Sequence, residues 1–407
     1  MAASERVLGV GVIGLGGASL AMIPKFVRNP HFCIAAAADI DAEIMERFRK
    51  DFPDAESYTD TAGLCASRNV DLVYIATPNR FHAEHARMAL ESKKHVLIEK
   101  PMTIDIAGAE QMIATAKRNG VLLGVNVKHS FEPRVLRLRE MVRSGELGRL
   151  RMINSWRFVD WLYRPRTAEE LTPEFGGGIL WRQGAHHFDF IRMIAGGLVR
   201  SLRGIVEVWD PNRRVPGCYA AYLDFEDGTM STAVCSGYDH FDSREFVQRG
   251  FSVATANHAK ARRELRTAPN ADWEERAARA ERYGGARATR SDELQPTRPS
   301  LGWIMGGPLI ASFDQADVRM TPGGLTVYGN DELYEIKLGV KGEDGRDGRI
   351  NTFYDAIMNG RPLPADGAWG MATLEVILAI EESGKTRQEV FLRHQVRSQP
   401  ANFTSVK

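Results

Sequence analysis

Residues 7–24 constrain the fold more than any other part of the sequence. This stretch carries no charged residue and is about long enough to span a bilayer. It lacks the basic flank of a signal peptide, however, and five glycines interrupt it, at positions 9, 11, 14, 16 and 17. We therefore interpret it as a strand, a glycine turn and a helix, and not as a membrane segment.

Short apolar runs alternate with amphipathic helical patterns as far as residue 125. The runs typical of strands are residues 7–13, 34–39, 72–76, 95–99 and 122–125. Helical patterns occupy residues 42–52, 81–92 and 104–119. Continuous apolar strands separated by helices indicate a parallel sheet that is covered on both faces. We predict a doubly wound α/β domain over residues 1–127.

The pattern changes from residue 128 onward. One helix is predicted over residues 133–144, and longer alternating runs follow at residues 150–158, 199–208, 218–225, 229–236 and 325–328. Alternation is typical of an antiparallel sheet with one buried face. Helices at residues 353–358 and 371–383 complete the prediction of an α+β domain over residues 128–407.

Within this second domain, residues 258–300 differ from the rest because they are rich in Arg, Glu and Ala and end near two prolines. The composition favours a solvated helical arm or insertion. A lid over the site or an oligomer contact is the alternative.

Charge and cysteine usage narrow the possible partners. The chain has 53 basic and 52 acidic residues, for a formal net charge of +1. This balance argues against nucleic acid or an anionic membrane surface as a partner. The four cysteines are scattered, without a CxxC pair or a Cys/His cluster at zinc spacing, so we expect neither a disulfide framework nor a metal site. A reducing, cytoplasmic setting is the corresponding expectation.

A dinucleotide site is predicted where the first strand ends. The turn at residues 14–19 reads Gly-Leu-Gly-Gly-Ala-Ser, in which Gly14 permits the tight turn and Gly16 lets the backbone approach a pyrophosphate. Ser19 replaces the third glycine of the fingerprint. Asp39 ends the second predicted strand and can accept hydrogen bonds from both ribose hydroxyls, whereas it would repel the 2′-phosphate of NADP. We predict NAD as the cofactor; the alternative for Asp39 is a turn residue.

Further motifs resemble one enzyme family. Thr77-Pro78-Asn79 with His82, and Glu99-Lys100-Pro101, each follow a predicted strand. The second domain carries three glycines at 176–178, then Gly184, His186 and Asp189, and a late segment at 370–380. Together these resemble the glucose–fructose oxidoreductase/inositol dehydrogenase (Gfo/Idh/MocA) family.

The resemblance implies a Rossmann domain followed by an α+β domain with a large, mostly antiparallel open sheet. It implies cofactor contacts from Gly14, Gly16, Gly17, Ala18, Asp39, Ile40, Thr77, Pro78, Asn79, His82, Glu99, Lys100 and Pro101. By analogy, it also implies a homodimer or homotetramer.

Within the family, residues 160–166, 237–243 and 375–383 are most similar to phthalate 4,5-dihydrodiol dehydrogenases. This similarity implies NAD-dependent oxidation of a phthalate cis-dihydrodiol, 4,5-dihydro-4,5-dihydroxyphthalate, to 4,5-dihydroxyphthalate. The alternatives are an inositol, sugar or sugar-acid dehydrogenase of the same family, and a non-catalytic NAD-binding sensor.

Two residues are the predicted catalytic groups. Lys100 lies at the carboxyl edge of the sheet, where desolvation would lower its pKa, and the resemblance makes it catalytic and places a cis peptide bond before Pro101. His186 is the expected acid/base partner, since its ordinary pKa of about 6.5 suits proton transfer at neutral pH. Asp189 is expected to orient His186 from the same helix face, and His187 to be packed. The alternatives are a surface Lys100 and a structural His186.

The substrate pocket is predicted to be cationic. Many family members carry an Asp at the position of Arg182, and a guanidinium is better suited to grip a carboxylate than to act as a base. Spacing i, i+4 would place Arg182 and His186 on one helix face. Further candidates for binding the dicarboxylate diol are Lys128, His129, Tyr163, Arg164, Arg166, Gln183 and His240. The alternative for each charged candidate is a solvated surface position.

Overall fold

The computed structural model describes residues 6–238, 240–247, 263–266, 270–285, 307–338 and 345–399. The strands, in chain order, are β1 (Leu8–Ile13), β2 (Phe32–Ala38), β3 (Glu56–Tyr58), β4 (Leu72–Ile75), β5 (His95–Ile98), β6 (Leu123–Val125), β7 (Leu150–Phe158), β8 (Val199–Glu207), β9 (Cys218–Phe225), β10 (Met230–Ser236), β11 (Leu309–Phe313), β12 (Ala316–Thr321), β13 (Gly324–Gly329), β14 (Leu333–Lys337) and β15 (Val390–Phe391).

The α-helices are α1 (Gly17–Arg28), α2 (Ala42–Asp51), α3 (Thr61–Ala66), α4 (His82–Glu91), α5 (Ile106–Asn119), α6 (Pro133–Ser144), α7 (Ala185–Ala195), α8 (Ala271–Arg279), α9 (Gly345–Asn359) and α10 (Gly367–Thr386). None of these helices combines the length and the apolar character that crossing a bilayer requires.

Six parallel strands form the first sheet, in the order β3-β2-β1-β4-β5-β6. Every residue of β1 and β4 is buried, as expected for central strands with helices on both faces. The helices begin at side-chain caps: Asp41 accepts hydrogen bonds from the first turn of α2, and Asp105 from that of α5. The predicted doubly wound sheet is confirmed, whereas the short β3 was not predicted.

The register of this sheet gathers five loops at one edge. Ile13 pairs with both Ala38 and Ile75, Ile75 pairs with Ile98, and Ile98 pairs with Val125. Because these strands are parallel and end level, the residues that follow them meet at the carboxyl edge, where α/β proteins bind ligands.

The second sheet has nine strands in the order β14-β13-β12-β11-β7-β10-β9-β8-β15. All neighbouring pairs are antiparallel except β7 and β10, which run parallel from Met230↔Met152 to Ser236↔Phe158. The expected mostly antiparallel sheet is confirmed. Helix α10 packs against β8 and also against α5 of the first domain. The predicted boundary between residues 127 and 128 remains a prediction.

The described part of the 258–300 arm packs against both domains. Glu274 of α8 is buried, binds the buried Arg213 at 2.7 Å, and accepts a hydrogen bond from the backbone N–H of Arg166 at 3.1 Å. On the first domain, the Tyr283 hydroxyl donates to Asp51 at 2.6 Å. These contacts contradict a purely solvated arm for residues 270–285; residues 258–262, 267–269 and 286–300 lie outside the described part of the chain.

Candidate active site

The glycine turn after β1 has the geometry that a dinucleotide requires. Gly14 has a φ of +85°, and a Cβ built there would lie 3.0 Å from the Ala76 carbonyl carbon, so only glycine fits. At Gly16, the N-cap of α1, the nearest atom to such a Cβ is the Ala76 carbonyl oxygen, at 4.0 Å. The turn is therefore tight at Gly14 and open at Gly16, beside the N-terminus of a helix.

Ser19 stabilises this turn. Its side chain is fully buried, and its hydroxyl donates to the Gly14 carbonyl at 2.5 Å. The serine thus replaces the third fingerprint glycine with a hydrogen bond across the turn.

Asp39 follows β2 and faces the same turn. One carboxylate oxygen accepts a hydrogen bond from the Leu15 backbone N–H at 2.6 Å, and the other accepts from the Asp41 N–H at 2.9 Å. Ile40 is 95 % exposed beside it. The turn thus holds the carboxylate, while each oxygen retains acceptor capacity for a ribose hydroxyl.

The loop after β4 is tied to its neighbours by His82. This ring is buried, and its two nitrogens lie 2.8 Å from the carbonyl oxygens of Pro101 and Thr77. Burial lowers the pKa of His82 to about 4, so the neutral ring donates to only one of them. Asn79 donates to the Gly176 carbonyl at 3.4 Å, which links this loop to the three-glycine segment of the second domain.

Lys100 lies between the two domains. Its ammonium donates to the Arg182 carbonyl at 2.9 Å, and the Lys100–Pro101 peptide bond is cis, as the resemblance implies. The preceding Glu99 accepts hydrogen bonds from Tyr74 at 2.7 Å and Asn126 at 2.6 Å. Burial, and then the nearby Arg182 charge, lowers the pKa of Lys100 to about 7.

The segment that carries Arg182 and Gln183 is a π-helical turn, Leu180–Gly184, and α7 begins only after it. The helix thus already runs through Arg182, the condition for Arg182 and His186 to share one helix face, although its first turn is wider than an α-helical turn; that the two side chains share a face stays a prediction. This turn presents the Arg182 carbonyl to Lys100. The deviation from regular helix geometry thus falls on the predicted site.

His186 does not have the partner that the sequence suggested. Asp189 is buried and accepts hydrogen bonds from the Ser130 hydroxyl and the Trp369 indole instead, so the prediction that it orients His186 is wrong. The Nδ1 atom of His186 is buried and has no hydrogen-bond partner among the described residues. The adjacent His187 is fully buried between Tyr219 and Ser155, as expected.

The ring of His186 contacts the ring of His129. The two imidazoles meet edge to face, with centroids 4.8 Å apart and planes at 81°. His129 Nδ1 lies 2.6 Å from Glu132, and the other oxygen of Glu132 binds the buried Arg134 at 2.7 Å. Burial and then Lys128 lower the pKa of His129 to about 4; burial and then Lys100 hold the pKa of His186 well below its ordinary value.

Cationic side chains surround these groups. Lys128 and Arg157 both act to lower the pKa values of Lys100, His129 and His186. Arg157 donates to the Gln183 side-chain oxygen at 2.6 Å.

Arg182, which is 34 % exposed, lies 3.2 Å from Glu170. Burial acts to raise the pKa of Glu170, but Arg182 and Arg166 outweigh it and the pKa is lowered. The carboxylate is therefore ionised and is shared by two arginines.

The remaining predicted substrate residues make contacts of other kinds. The Tyr163 hydroxyl donates to Asp210 at 2.7 Å in a buried position. Arg166 donates to the Trp161 carbonyl at 2.8 Å and stacks on the Trp161 ring, while the exposed Arg164 pairs with Asp160. His240 is exposed. Their roles in binding remain predictions.

Three site residues were missed by the sequence reasoning. Glu132 comes three residues after His129. Residues at this spacing contact each other only when the chain forms a helical turn. Arg157 lies near the end of β7, and Glu170 precedes the three-glycine segment. Charge alone could not distinguish either from a surface position.

The arrangement fits a dinucleotide. Gly14 and Gly16 shape the turn, Asp39 faces it, and Lys100 lies at the junction with the second domain. Within the described ranges, no group of three or more His, Cys, Asp or Glu residues is placed to hold a metal ion.

Comparison with known proteins agrees with this geometry. Residues 8–127 match the model of an oxidoreductase family with an NAD-binding Rossmann fold, and residues 135–253 match the Gfo/Idh/MocA C-terminal domain. The chain is 34% identical over 388 residues to 1-carboxy-3-chloro-3,4-dihydroxycyclohexa-1,5-diene dehydrogenase from Comamonas testosteroni, covering 92% of this chain and 94% of that protein.

Solved structures share the fold. A Bordetella bronchiseptica RB50 protein described as a dehydrogenase superposes with a TM-score of 0.84 at 34% identity, covering 95% of this chain and 100% of that one. An oxidoreductase from Agrobacterium radiobacter, solved with NAD+, L-tartaric acid and magnesium, gives a TM-score of 0.69 at 17% identity, covering 94% and 98%. The chain belongs to the Gfo/Idh/MocA family of NAD(P)-dependent oxidoreductases.

Proposed function

We propose that this enzyme uses NAD to oxidise a carboxylated cis-dihydrodiol, specifically 4,5-dihydro-4,5-dihydroxyphthalate, to the corresponding catechol. The observation that carries the proposal is the group of cations at Lys100: its ammonium binds the Arg182 carbonyl, Arg157 binds the adjacent Gln183, and the charges of Arg182, Lys128 and Arg157 all act to lower the pKa of Lys100. A ring dicarboxylate offers negative charge that such cations can bind, whereas an uncharged polyol offers none. The Comamonas relative supports the class, since its name specifies a carboxylated dihydroxycyclohexadiene.

The chemistry divides between cofactor and protein. NAD, when bound, supplies the hydride acceptor. Lys100 with its pKa near 7 is partly an amine at neutral pH, so it can take the hydroxyl proton as the C–H bond breaks, with His186 beside it. The hydroxy-dienone product tautomerises to a catechol, and aromatisation supplies driving force that the protein does not need to provide.

Asp39 supports NAD as the preferred cofactor. Its carboxylate, held by the Leu15 and Asp41 N–H groups, faces the glycine turn where the adenosine ribose binds in this fold. A 2′-phosphate would bring further negative charge close to the Asp39 carboxylate. The resulting repulsion favours NAD, which lacks this phosphate, over NADP.

A panel assay tests the proposal. NADH absorbance is followed with the phthalate diol, the chlorinated monocarboxylate diol, a benzene cis-dihydrodiol without carboxylates, an inositol and a sugar acid. Turnover of the phthalate diol with the highest kcat/KM supports the proposal. Turnover confined to the inositol or sugar acid would refute it, and cofactor binding without any turnover would identify a sensor.

We also propose that the open face of the nine-stranded sheet pairs with a second copy of the chain. Neighbouring strands expose large apolar side chains on this face: Trp156, Tyr222, Met230 and Ile310. A monomer seldom leaves such a patch uncovered. Light scattering at micromolar concentration would show a dimer or tetramer, and a monomer would contradict the proposal.

A further inference from the structure

The segment that follows α8 packs against the first domain beside the cofactor turn. Tyr283 is 7 % exposed and lies in the apolar core of that domain, where its hydroxyl donates to Asp51 at 2.6 Å. Two residues earlier, the Glu281 carbonyl oxygen lies 3.7 Å from the position of a Cβ built at Gly17, the first residue of α1. Residues 281–283 therefore follow a fixed path along the edge of the glycine turn.

This path places Arg282 next to the turn, between the two residues that contact the first domain. Its N–H donates to the Arg279 carbonyl at 3.1 Å, and its carbonyl accepts from the Gly285 N–H at 2.9 Å, so its backbone is held in a tight turn. The Arg282 side chain is 31 % exposed, and its guanidinium lies 3.6 Å from Glu275, which is beyond hydrogen-bonding distance. A loosely paired guanidinium beside the turn is available to an anion that binds there.

The cofactor turn itself offers a pyrophosphate no cation. Residues 7–24 include no charged side chain, and no side chain caps the N-terminus of α1, so the N–H groups there are left for a ligand. Asp39 adds negative charge at the same edge of the sheet. The pyrophosphate brings more, which a guanidinium beside the turn would balance through charge-assisted hydrogen bonds.

We propose that Arg282 binds the pyrophosphate of the dinucleotide, so that the arm completes the cofactor site from outside the Rossmann domain. On binding, the guanidinium exchanges Glu275 for the pyrophosphate oxygens. The arm is anchored on both sides of Arg282, by Glu274 and by Tyr283, which lowers the entropy that this contact costs. NAD and NADP both carry the pyrophosphate, so the proposal depends neither on the preferred cofactor nor on the proposed substrate.

Arg279 provides a comparison within the same arm. It precedes Arg282 by three residues, is 59 % exposed, and binds the same Glu275 at 3.3 Å. The two arginines differ in their distance along the chain from Glu281, whose carbonyl contacts Gly17: Arg282 is the next residue, whereas Arg279 lies two residues before it. Arg279 is therefore a matched control for a cation on the arm that does not reach the turn.

The first test measures binding of NADH to the full-length protein by fluorescence titration. Arg282→Gln should raise the Kd for NADH about 10-fold, which corresponds to about 1.4 kcal/mol. Arg282→Lys, which keeps the charge, should retain most of the affinity, and Arg279→Gln should change the Kd by less than about two-fold. Added salt should weaken NADH binding to the unmutated protein more than binding to Arg282→Gln.

The second test identifies the group that Arg282 binds. ADP-ribose carries the pyrophosphate and adenosine does not, and each is made to compete with NADH. Arg282→Gln should weaken the binding of ADP-ribose about 10-fold and leave that of adenosine unchanged. Glu275→Gln should lower the Kd for NADH, because it removes the carboxylate that competes for the guanidinium. The melting temperature without cofactor should be the same in Arg282→Gln and the unmutated protein.

Three results would overturn the proposal. The first is a Kd for NADH in Arg282→Gln within about two-fold of the unmutated value, or an equal loss in Arg279→Gln. The second is an equal loss of affinity for ADP-ribose and adenosine, which would mean that Arg282 only supports the shape of the site. The third is a rise in the Kd for NADH in Glu275→Gln, which would make its pair with Arg282 structural. The absence of dihydrodiol turnover would refute the proposed function only.

Discussion

Removal of the Arg182 side chain tests whether the cationic pocket grips a carboxylate. A charge-assisted hydrogen bond is worth about 1.5–3 kcal/mol. The Arg182 side chain is 34 % exposed and already lies 3.2 Å from Glu170, so solvent screening and a competing anion favour the lower end. About 1.5 kcal/mol corresponds to about a 10-fold change in affinity. Arg182→Ala should therefore raise KM for a carboxylated diol about 10-fold. The assay is run well above pH 7, where kcat should be largely unchanged, because loss of the Arg182 charge also raises the pKa of Lys100.

The assay compares two diols, with and without ring carboxylates, on the unmutated enzyme and two variants. The diol without carboxylates should be a poor substrate for the unmutated enzyme and nearly insensitive to Arg182→Ala. Glu170→Gln should lower KM for the carboxylated diol, because it removes the anion that competes for the guanidinium. Arg200→Ala, which removes an exposed arginine paired with Asp224, is the matched control.

A structural role for Arg182 predicts a different pattern. If the arginine serves only to pair with Glu170, both diols should lose activity together, Glu170→Gln should cause the same loss, and the melting temperature should fall in both variants. A parallel loss for the two diols would refute the carboxylate grip.

Three further predictions follow from the site. Asp39→Ala should narrow the preference for NAD over NADP, and equal kcat/KM values for the two cofactors in the unmutated enzyme would contradict the role of Asp39. Lys100→Ala should lower kcat at least ~100-fold, and the variant should still bind NAD in a fluorescence titration. Near-normal turnover by this variant would show that Lys100 is not catalytic. Because the pKa of Lys100 is lowered to about 7 and the base must be the amine, oxidation should accelerate as pH rises through about 7 and then level off. A rate that keeps rising toward pH 10 would indicate an ordinary, solvated lysine.

Features that depend on neighbouring residues in the chain were predictable. The turn at Gly14 and Gly16 follows from strand, glycine and helix signals within a few residues, and the level strand ends bring Asp39 and Lys100 to the same edge. Arg182, at a position where the family resemblance implies an acid, also led to the prediction of a cationic pocket, and its role in substrate binding stays a prediction.

Features that depend on distant contacts were not predictable. Asp189 was assigned to His186 by helix spacing, yet tertiary packing gives its oxygens to Ser130 and Trp369. The contact between His129 and His186 joins the short turn before α6 to the first turn of α7, which spacing in the sequence does not relate. Helical spacing also assumes a regular α-helix, and the π-turn at Leu180–Gly184 breaks that assumption.

Residues 274–283 of the arm contact both domains and pass beside the cofactor turn. One end is fastened to the second domain by the ion pair between Glu274 and Arg213, and the other to the first domain by the bond between Tyr283 and Asp51. Between them, the Glu281 carbonyl passes 3.7 Å from the Cβ position of Gly17 at the cofactor turn. Separating a buried ion pair costs about 3–5 kcal/mol when one charge stays buried. The ion pair is therefore the stronger end of the insertion, and a movement that separates the two domains would break the Tyr283–Asp51 hydrogen bond first, so that the insertion would stay with the second domain.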